Sequence, residues 1–210
     1  MRNIASGLSL IVLFSLAPIA SASLTIKVLS ETVTDSGGTA VTTATGTWLL
    51  VADTTRDGFN AIGAGGISVN DFIAGDDLVL INGVFGGGFG VDGAINMAMP
   101  GLNLTAEWDT GDPLALVWFP EVGAGASSVS DGDSYGSYTS ASGEDLSNPW
   151  ITPADGADLD LQALTGATSG FFGSGTVDPS SLEAGLAVIP EPSATLLVLC
   201  SGLLIFRRRR

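Results

Sequence analysis

The stretch Trp48-Leu-Leu-Val-Ala52 is a run of five apolar residues, and it decides the class of fold. Such short apolar runs, broken by Gly, Asp, Asn and Ser, recur along the chain without the longer period of a helix. Short apolar runs separated by these turn-forming residues are typical of β proteins. We therefore predict a buried strand at 48–52 and an all-β fold around it.

Other segments of the chain carry weaker signals of the same kind. Residues 24–33 alternate and contain β-branched side chains, and a strand at 77–81 is followed by an Asn82-Gly83 turn signal. The alternating segment 102–108 and the apolar segment 114–119 suggest a hairpin. Further strands are predicted at 134–140 and 170–177, and a short helix at 158–163. The segment 123–147 is predicted to be a long loop or a segment that leaves the edge of a sheet.

Both ends of the chain have the composition of membrane-targeting segments. Arg2 precedes an apolar stretch over 4–19, and Ala20-Ser21-Ala22 fits the small-x-small pattern of signal cleavage before Ser23. At the other end, Pro190-Glu191-Pro192 precedes an uncharged run over 193–206, and Arg207, Arg208, Arg209 and Arg210 follow it. The positive-inside rule keeps the basic residues cytoplasmic, so we expect everything between to be exported.

The last part of the chain resembles the PEP-CTERM sorting signal, in which a proline-flanked motif, a transmembrane segment and a basic tail follow one another. The resemblance covers residues 188–210 and implies recognition and processing by an exosortase-like membrane enzyme. It also implies a tether in the membrane through the helix at 193–206 before processing, and then delivery to the cell surface.

The expected organisation is a signal peptide at 1–22, an exported Gly-rich acidic domain at 23–187 and the sorting signal at 188–210. For the exported part we expect one antiparallel β-sandwich-like, jelly-roll-like domain. It carries 21 acidic residues against Lys27 and Arg56, a net charge of −19. Nucleic acid is excluded as a partner, since phosphate binding needs Lys and Arg. Cys200 lies in the tail, so the exported part has no disulfide.

The chain contains no histidine, which excludes Ser-His-Asp and Cys-His catalysis and histidine-bound zinc. We expect a protein that is not an enzyme and has a structural or adhesive role with exopolysaccharide, to which the resembled family is linked. One alternative is a carbohydrate-binding module that uses exposed aromatic side chains. A less favoured one is a glycoside hydrolase using two carboxylates from Glu107, Glu121 and Glu144.

Calcium is the cofactor that the acidic residues would suit, although nothing in the sequence requires a cofactor. Asp53, Asp57 and Gly58 partly match the start of an EF-hand loop, but the position of its bidentate glutamate is Ala64. A second pair of candidate ligands, Asp131 and Asp133, lies in a glycine-containing turn. Aspartates at 155, 158 and 160 form a third cluster. For each single pattern the favoured interpretation is an ordinary Asp-Gly turn on an acidic surface, whereas this preference is weaker for all of the clusters taken together.

Overall fold

The computed structural model of the protein describes residues 23–86, 91–139, 150–163 and 187–189, and these form an all-β structure. No helix occurs in these ranges, hence none that could cross a membrane. The strands, in chain order, are β1 (Leu24–Ser30), β2 (Thr47–Asp53), β3 (Gly65–Gly66), β4 (Phe72–Ile73), β5 (Asp77–Val84), β6 (Ile95–Leu102), β7 (Leu114–Phe119), β8 (Ser128–Val129), β9 (Ser134–Tyr138), β10 (Asp158–Ala163) and β11 (Ala187–Val188).

Two sheets make up most of this structure. A three-stranded sheet has the order β10-β1-β6, and a six-stranded sheet has the order β11-β9-β7-β2-β5-β4, with β3 and β8 forming a small separate pair. The neighbours pair antiparallel except for β1 and β10, which are parallel. The first described strand therefore lies beside a strand from much later in the chain.

Strand β2 is buried along its whole length and lies between two apolar clusters, as the run at 48–52 predicts. Trp48, Leu50 and Ala52 face one cluster, which also takes in residues of the three-stranded sheet. Leu49 and Val51 face the other cluster, which lies on the opposite side of the six-stranded sheet. Alternate side chains of a strand point to opposite faces, so an uninterrupted apolar run is required where both faces are covered.

A row of two tryptophans flanked by two glycines crosses the middle of the six-stranded sheet. The register places Gly83 of β5 opposite Trp48, Trp48 opposite Trp118 of β7, and Trp118 opposite Gly136 of β9. Both indoles are fully buried, and a Cβ on Gly83 or Gly136 would lie within 2.4 or 2.2 Å of the facing ring. The glycines therefore provide the space that the indole rings occupy.

The predicted hairpin between 102–108 and 114–119 is wrong. β6 ends at Leu102 in the three-stranded sheet, whereas β7 pairs with β2 and β9 in the six-stranded sheet. Gly101, at φ 82°, is the last residue but one of β6, and in the segment that follows the strand the Thr105 N–H donates to the Trp108 carbonyl over 2.9 Å. The alternation of apolar and polar residues at 102–108 is typical of a half-buried strand. Trp108 is indeed buried, but outside the sheets, where its indole N–H donates to the Thr152 hydroxyl.

Two other local predictions also fail. Asn82 and Gly83 do not form a turn, because β5 continues to Val84 and Gly83 accommodates the Trp48 ring. The segment Asp158–Ala163 is strand β10 rather than a helix, and Leu161 and Ala163 face the shared core. Its alternation of acidic or amide residues with apolar ones is the period of a strand.

The remaining strand predictions have mixed outcomes. The strands predicted at 24–33 and 134–140 are confirmed as β1 and β9. Strand β8 and β9 lie inside the segment predicted as a loop at 123–147, whose residues 140–147 fall outside the described ranges. The strand predicted at 170–177 also lies outside the described residues.

Replacing Gly136 by alanine tests the packing of the tryptophan row. The new methyl group would overlap the buried Trp118 ring, and we expect the free energy of unfolding to fall by about 1–3 kcal/mol. Gly65→Ala is the matched control, since a Cβ at this strand position meets no atom within 4 Å. Urea unfolding of the two variants measures the difference, and equal stabilities would contradict the proposed role of the glycine.

Candidate metal centre

Asp53 ends β2 and organises the loop that follows it. Its side chain is fully buried, and Oδ1 accepts hydrogen bonds from the backbone N–H groups of Arg56 at 2.6 Å and Thr55 at 3.1 Å. Oδ2 accepts a third from the N–H of Gly58 at 2.9 Å. Arg56 and Gly58 both have positive φ, at 61° and 103°. The carboxylate therefore stabilises a tight loop and has its charge solvated by backbone donors.

The same loop is fastened to Asp76, which directly precedes β5. The Thr54 hydroxyl donates to the backbone carbonyl of Asp76 at 2.7 Å, and the Thr55 hydroxyl donates to its carboxylate. The side-chain amide of Asn60 donates to the other carboxylate oxygen at 3.3 Å. These contacts hold together two segments that are distant in sequence, at the end of β2 and the start of β5.

Carboxylate oxygens of Asp53, Asp57 and Asp76 lie within 4.8 Å of one another. Asp53 is buried, Asp76 is half-buried and Asp57 is exposed. Calcium binds oxygen at about 2.3–2.6 Å, so two ligands of one ion are at most about 5 Å apart. These three residues, which we call the Asp53 cluster, therefore have the spacing that a divalent cation requires.

Asp77 is a fourth carboxyl group beside the Asp53 cluster. It lies directly opposite Asp53 in the β2–β5 register and is only 2% exposed. Burial raises the pKa of Asp77 from its ordinary 3.8 to about 7. A hydrogen bond from the Asn60 backbone N–H opposes this pKa shift, and the negative charges of Asp76, Asp53 and Asp57 add to it.

The basic residues of the described ranges are Lys27 and Arg56, and both are engaged elsewhere. The Arg56 guanidinium turns away from the Asp53 cluster and donates through Nε to the buried Asp112 at 2.8 Å. Lys27 lies 3.2 Å from Asp160 on the outer face of the three-stranded sheet. Within the described residues the Asp53 cluster therefore has no positively charged side chain as a partner.

The structure brings together one of the pairs of calcium candidates from the sequence, Asp53 and Asp57. Among the described residues no third carboxylate joins Asp131 and Asp133, and Asp133 accepts a hydrogen bond from the Ser130 N–H at 2.7 Å in its own turn. The arrangement is not an EF-hand, because a strand precedes the loop and Asp76 comes from another segment. Asp76 and Asp77 were not among the predicted ligands, although two acidic residues directly before an apolar strand are a signal in the sequence.

The aromatic side chains that a carbohydrate-binding surface would need are mostly in the cores. The four tryptophans are at most 2% exposed and the two tyrosines at most 7%. Of the hydrolase candidates, Glu107 and Glu121 are exposed on separate loops. Among the other predicted site residues, Ser23 is exposed, and those outside the described ranges are Ala20, Ala22, Glu144, Pro190, Glu191, Pro192 and Arg207 to Arg210.

Comparisons with known proteins give no relative from which a function could be transferred. No family model matches the chain, and neither the curated proteins nor the solved structures contain a match.

The raised pKa of Asp77 predicts that Asp77→Asn makes the protein more stable at high pH. The unfolded carboxyl ionises near pH 3.8 and the folded one near 7, so the wild type loses stability relative to the variant as pH rises between these values. At about 1.4 kcal/mol per pKa unit, the full difference is at most about 4 kcal/mol. Urea unfolding at pH 4 and pH 8, in the presence of a chelator, measures it.

The exposed Asp131→Asn variant removes the same charge and serves as the control for this experiment. Its stability should follow that of the wild type across the pH range. If Asp77→Asn also kept the wild-type pH dependence, the buried ionisation assigned to Asp77 would be wrong.

Proposed function

We propose that the chain is an exported cell-surface protein, sorted by an exosortase-like membrane enzyme, with a structural or adhesive role in a matrix of extracellular polysaccharide. It is tethered in the membrane by the segment at 193–206 until processing releases it to the surface. The exported domain acts without catalysis and without nucleic acid as a partner. Its architecture is β-sandwich-like and jelly-roll-like, with antiparallel strands apart from the parallel pair of β1 and β10.

The position of the sorting motif relative to the core is the observation that carries this proposal. Leu24 is fully buried and follows Ser23, the first residue after the proposed signal cleavage. At the other end, Ile189 is fully buried in the second apolar cluster and directly precedes Pro190. Buried residues of the described part therefore lie directly next to both processing segments, as expected for a domain that must remain folded after both are removed.

The packing of the two sheets supports the sandwich architecture. One apolar cluster contains residues of β1, β6 and β10 from the three-stranded sheet together with residues of β2, β5, β7 and β9 from the six-stranded sheet. Aligned sheets that share such a core are the defining feature of sandwiches. A core of this size also accounts for a domain without disulfides in an oxidising environment.

The charge of the exported part supports a role at a hydrated surface. A net charge of −19 keeps a protein soluble through self-repulsion and disfavours contact with other polyanions. Association with an acidic polysaccharide would therefore need bridging cations, whereas a neutral polysaccharide could be approached directly. The lack of histidine and of exported cysteine fits a protein with a structural or adhesive role rather than a catalytic one.

Replacing Pro190, Glu191 and Pro192 together by alanine should leave unprocessed protein in the membrane of a host that has the sorting enzyme. The expected readout is a larger species in the membrane fraction and less protein at the surface. A variant with Pro100→Ala and Glu107→Ala, both at exposed positions of the domain, is the control and should be processed normally. Normal processing of the triple variant would refute the sorting proposal.

Deleting the gene in its native host should alter cell aggregation or the retention of polysaccharide around the cells. The purified protein should meanwhile show no saturable binding to a panel of neutral glycans, because the candidate stacking side chains are buried. Strong binding to one glycan would instead favour the carbohydrate-binding alternative. The exposed Phe72 would then be the first residue to replace, as it is a 48% exposed aromatic side chain.

A further inference from the structure

We propose that a cavity on the face of the six-stranded sheet opposite the three-stranded sheet binds a small neutral alcohol or phenol, whose hydroxyl group forms a hydrogen bond with Asp77. Residues of β2, β5, β7 and β9 line this cavity together with the loop 59–62 and Ile73 of β4. We call it the Asp77 cavity. The proposed site is independent of the export and polysaccharide role.

The volume of the Asp77 cavity, about 240 Å³, suits a single ring with a short substituent. A dry apolar cavity of about 150 Å³ binds benzene, so this larger one has space for roughly eight to ten heavy atoms. Asn60, Ala61 and Ser137 belong to its lining and are exposed, so the cavity opens to solvent on their side. A ligand can therefore enter without separation of the strands.

Most of the lining is apolar. Val51 and Ala115 lie opposite each other across β2 and β7, and Ile62 and Ile73 belong to the same apolar cluster as Val51. Phe59 packs against this cluster and adds an aromatic ring to the lining. Such walls favour a ligand with an apolar body, whereas a sugar would have most of its hydroxyl groups buried without partners.

Asp77 supplies the polar contact of the cavity. It is 2% exposed, and its Oδ2 accepts a hydrogen bond from the Asn60 backbone N–H at 3.3 Å, but its Oδ1 has no partner among the described residues. A buried carboxyl oxygen without a partner is costly. A hydroxyl group both donates and accepts, so a bound alcohol satisfies Oδ1 whether the carboxyl group is ionised or protonated.

Tyr135 offers a second polar contact in the lining. Its hydroxyl oxygen accepts a hydrogen bond from the Ile62 backbone N–H at 3.3 Å, which fastens the loop 59–62 to β9. Accepting this bond leaves the hydroxyl proton of Tyr135 able to donate to the oxygen of a ligand. The cavity thus combines an apolar surface with two groups that hydrogen-bond a hydroxyl.

The charges around the cavity favour a neutral ligand. The basic residues of the described ranges, Lys27 and Arg56, do not line it and pair with carboxylates elsewhere. An anionic ligand would therefore meet the carboxyl group of Asp77 with no positive charge to balance it. A cationic ligand would have to give up its hydration against largely apolar walls. A hydroxyl group carries neither cost.

The test is calorimetry with benzyl alcohol and the full chain, with the same detergent in both solutions and a titration into detergent alone as the blank. The alcohol should bind at one saturable site with a dissociation constant of about 10⁻⁴–10⁻³ M, as expected for so small a ligand. Toluene, which lacks the hydroxyl group, should bind about tenfold more weakly, because Asp77 then stays without a partner. Benzylamine and benzoate, which carry a charge on the same ring, should also bind more weakly than the alcohol.

Two substitutions of Asp77 test the hydrogen bond. Asp77→Leu should abolish the preference for benzyl alcohol over toluene, since the polar group is gone while the apolar walls remain. Continued binding of toluene shows that this variant is folded. Asp77→Asn keeps two hydrogen-bonding atoms at the same place and should keep the preference.

A substitution at the open side of the cavity tests its location. Ser137→Leu places an apolar side chain at an exposed strand position of the lining and should weaken the binding of both ligands by about tenfold. Ser128→Leu makes the same change at an exposed strand position outside the cavity and should leave binding unchanged.

Four results would overturn the proposal. The first is the absence of binding of benzyl alcohol beyond the detergent blank. The second is equal affinity of the wild type for benzyl alcohol and toluene, or an unchanged preference in Asp77→Leu. The third is tighter binding of benzylamine or benzoate, which would assign the cavity to a charged ligand. The fourth is the same effect of Ser137→Leu and Ser128→Leu, which would place the binding elsewhere.

Discussion

The packing of Trp48 and Trp118 against Gly83 and Gly136 is the contact on which the six-stranded sheet depends. The two indoles are neighbours across β2 and β7, and each lies over a glycine of the next strand outward. Because the rings are fully buried, four strands must align in one register for the row to form. A slip of one residue would send every side chain of a strand to the opposite face. The row thus selects one pairing among several that the apolar composition alone would allow.

Burial on both faces explains which parts of the fold the sequence could predict. The run at 48–52 indicated a buried strand because all of its residues are apolar, and this holds for β2 without exception. The class of fold followed from the short runs and the glycines. The arrangement of strands did not follow, because β7 leaves its predicted partner to pair with β2, which lies more than sixty residues earlier in the chain. Neither local alternation nor turn chemistry contains that information.

The acidic site was also predictable only in part, because the pairing of strands that completes it is not visible in the sequence. Asp53 and Asp57 belong to one loop, and their spacing with Gly58 was visible in the sequence. Asp76 and Asp77 join them only because β5 pairs with β2 in a particular register. The meaning of the two adjacent aspartates before β5 therefore depends on tertiary structure. In the sequence they are two of many acidic residues, whereas in the fold they face the end of a buried strand.

The tryptophan row and the acidic cluster are linked through the two strands that carry both. From Trp48 to Asp53, β2 advances five positions, whereas from Asp77 to Gly83, β5 advances six. Both pairs can be in register only because a bulge between Leu50 and Val51 absorbs the extra residue of β5. Leu80 and Ile81, which are adjacent in the chain, consequently both face the shared core. The indole at one end of β2 thereby determines which carboxyl group faces Asp53 at the other end, so the geometry of the acidic site is a consequence of how the core is packed.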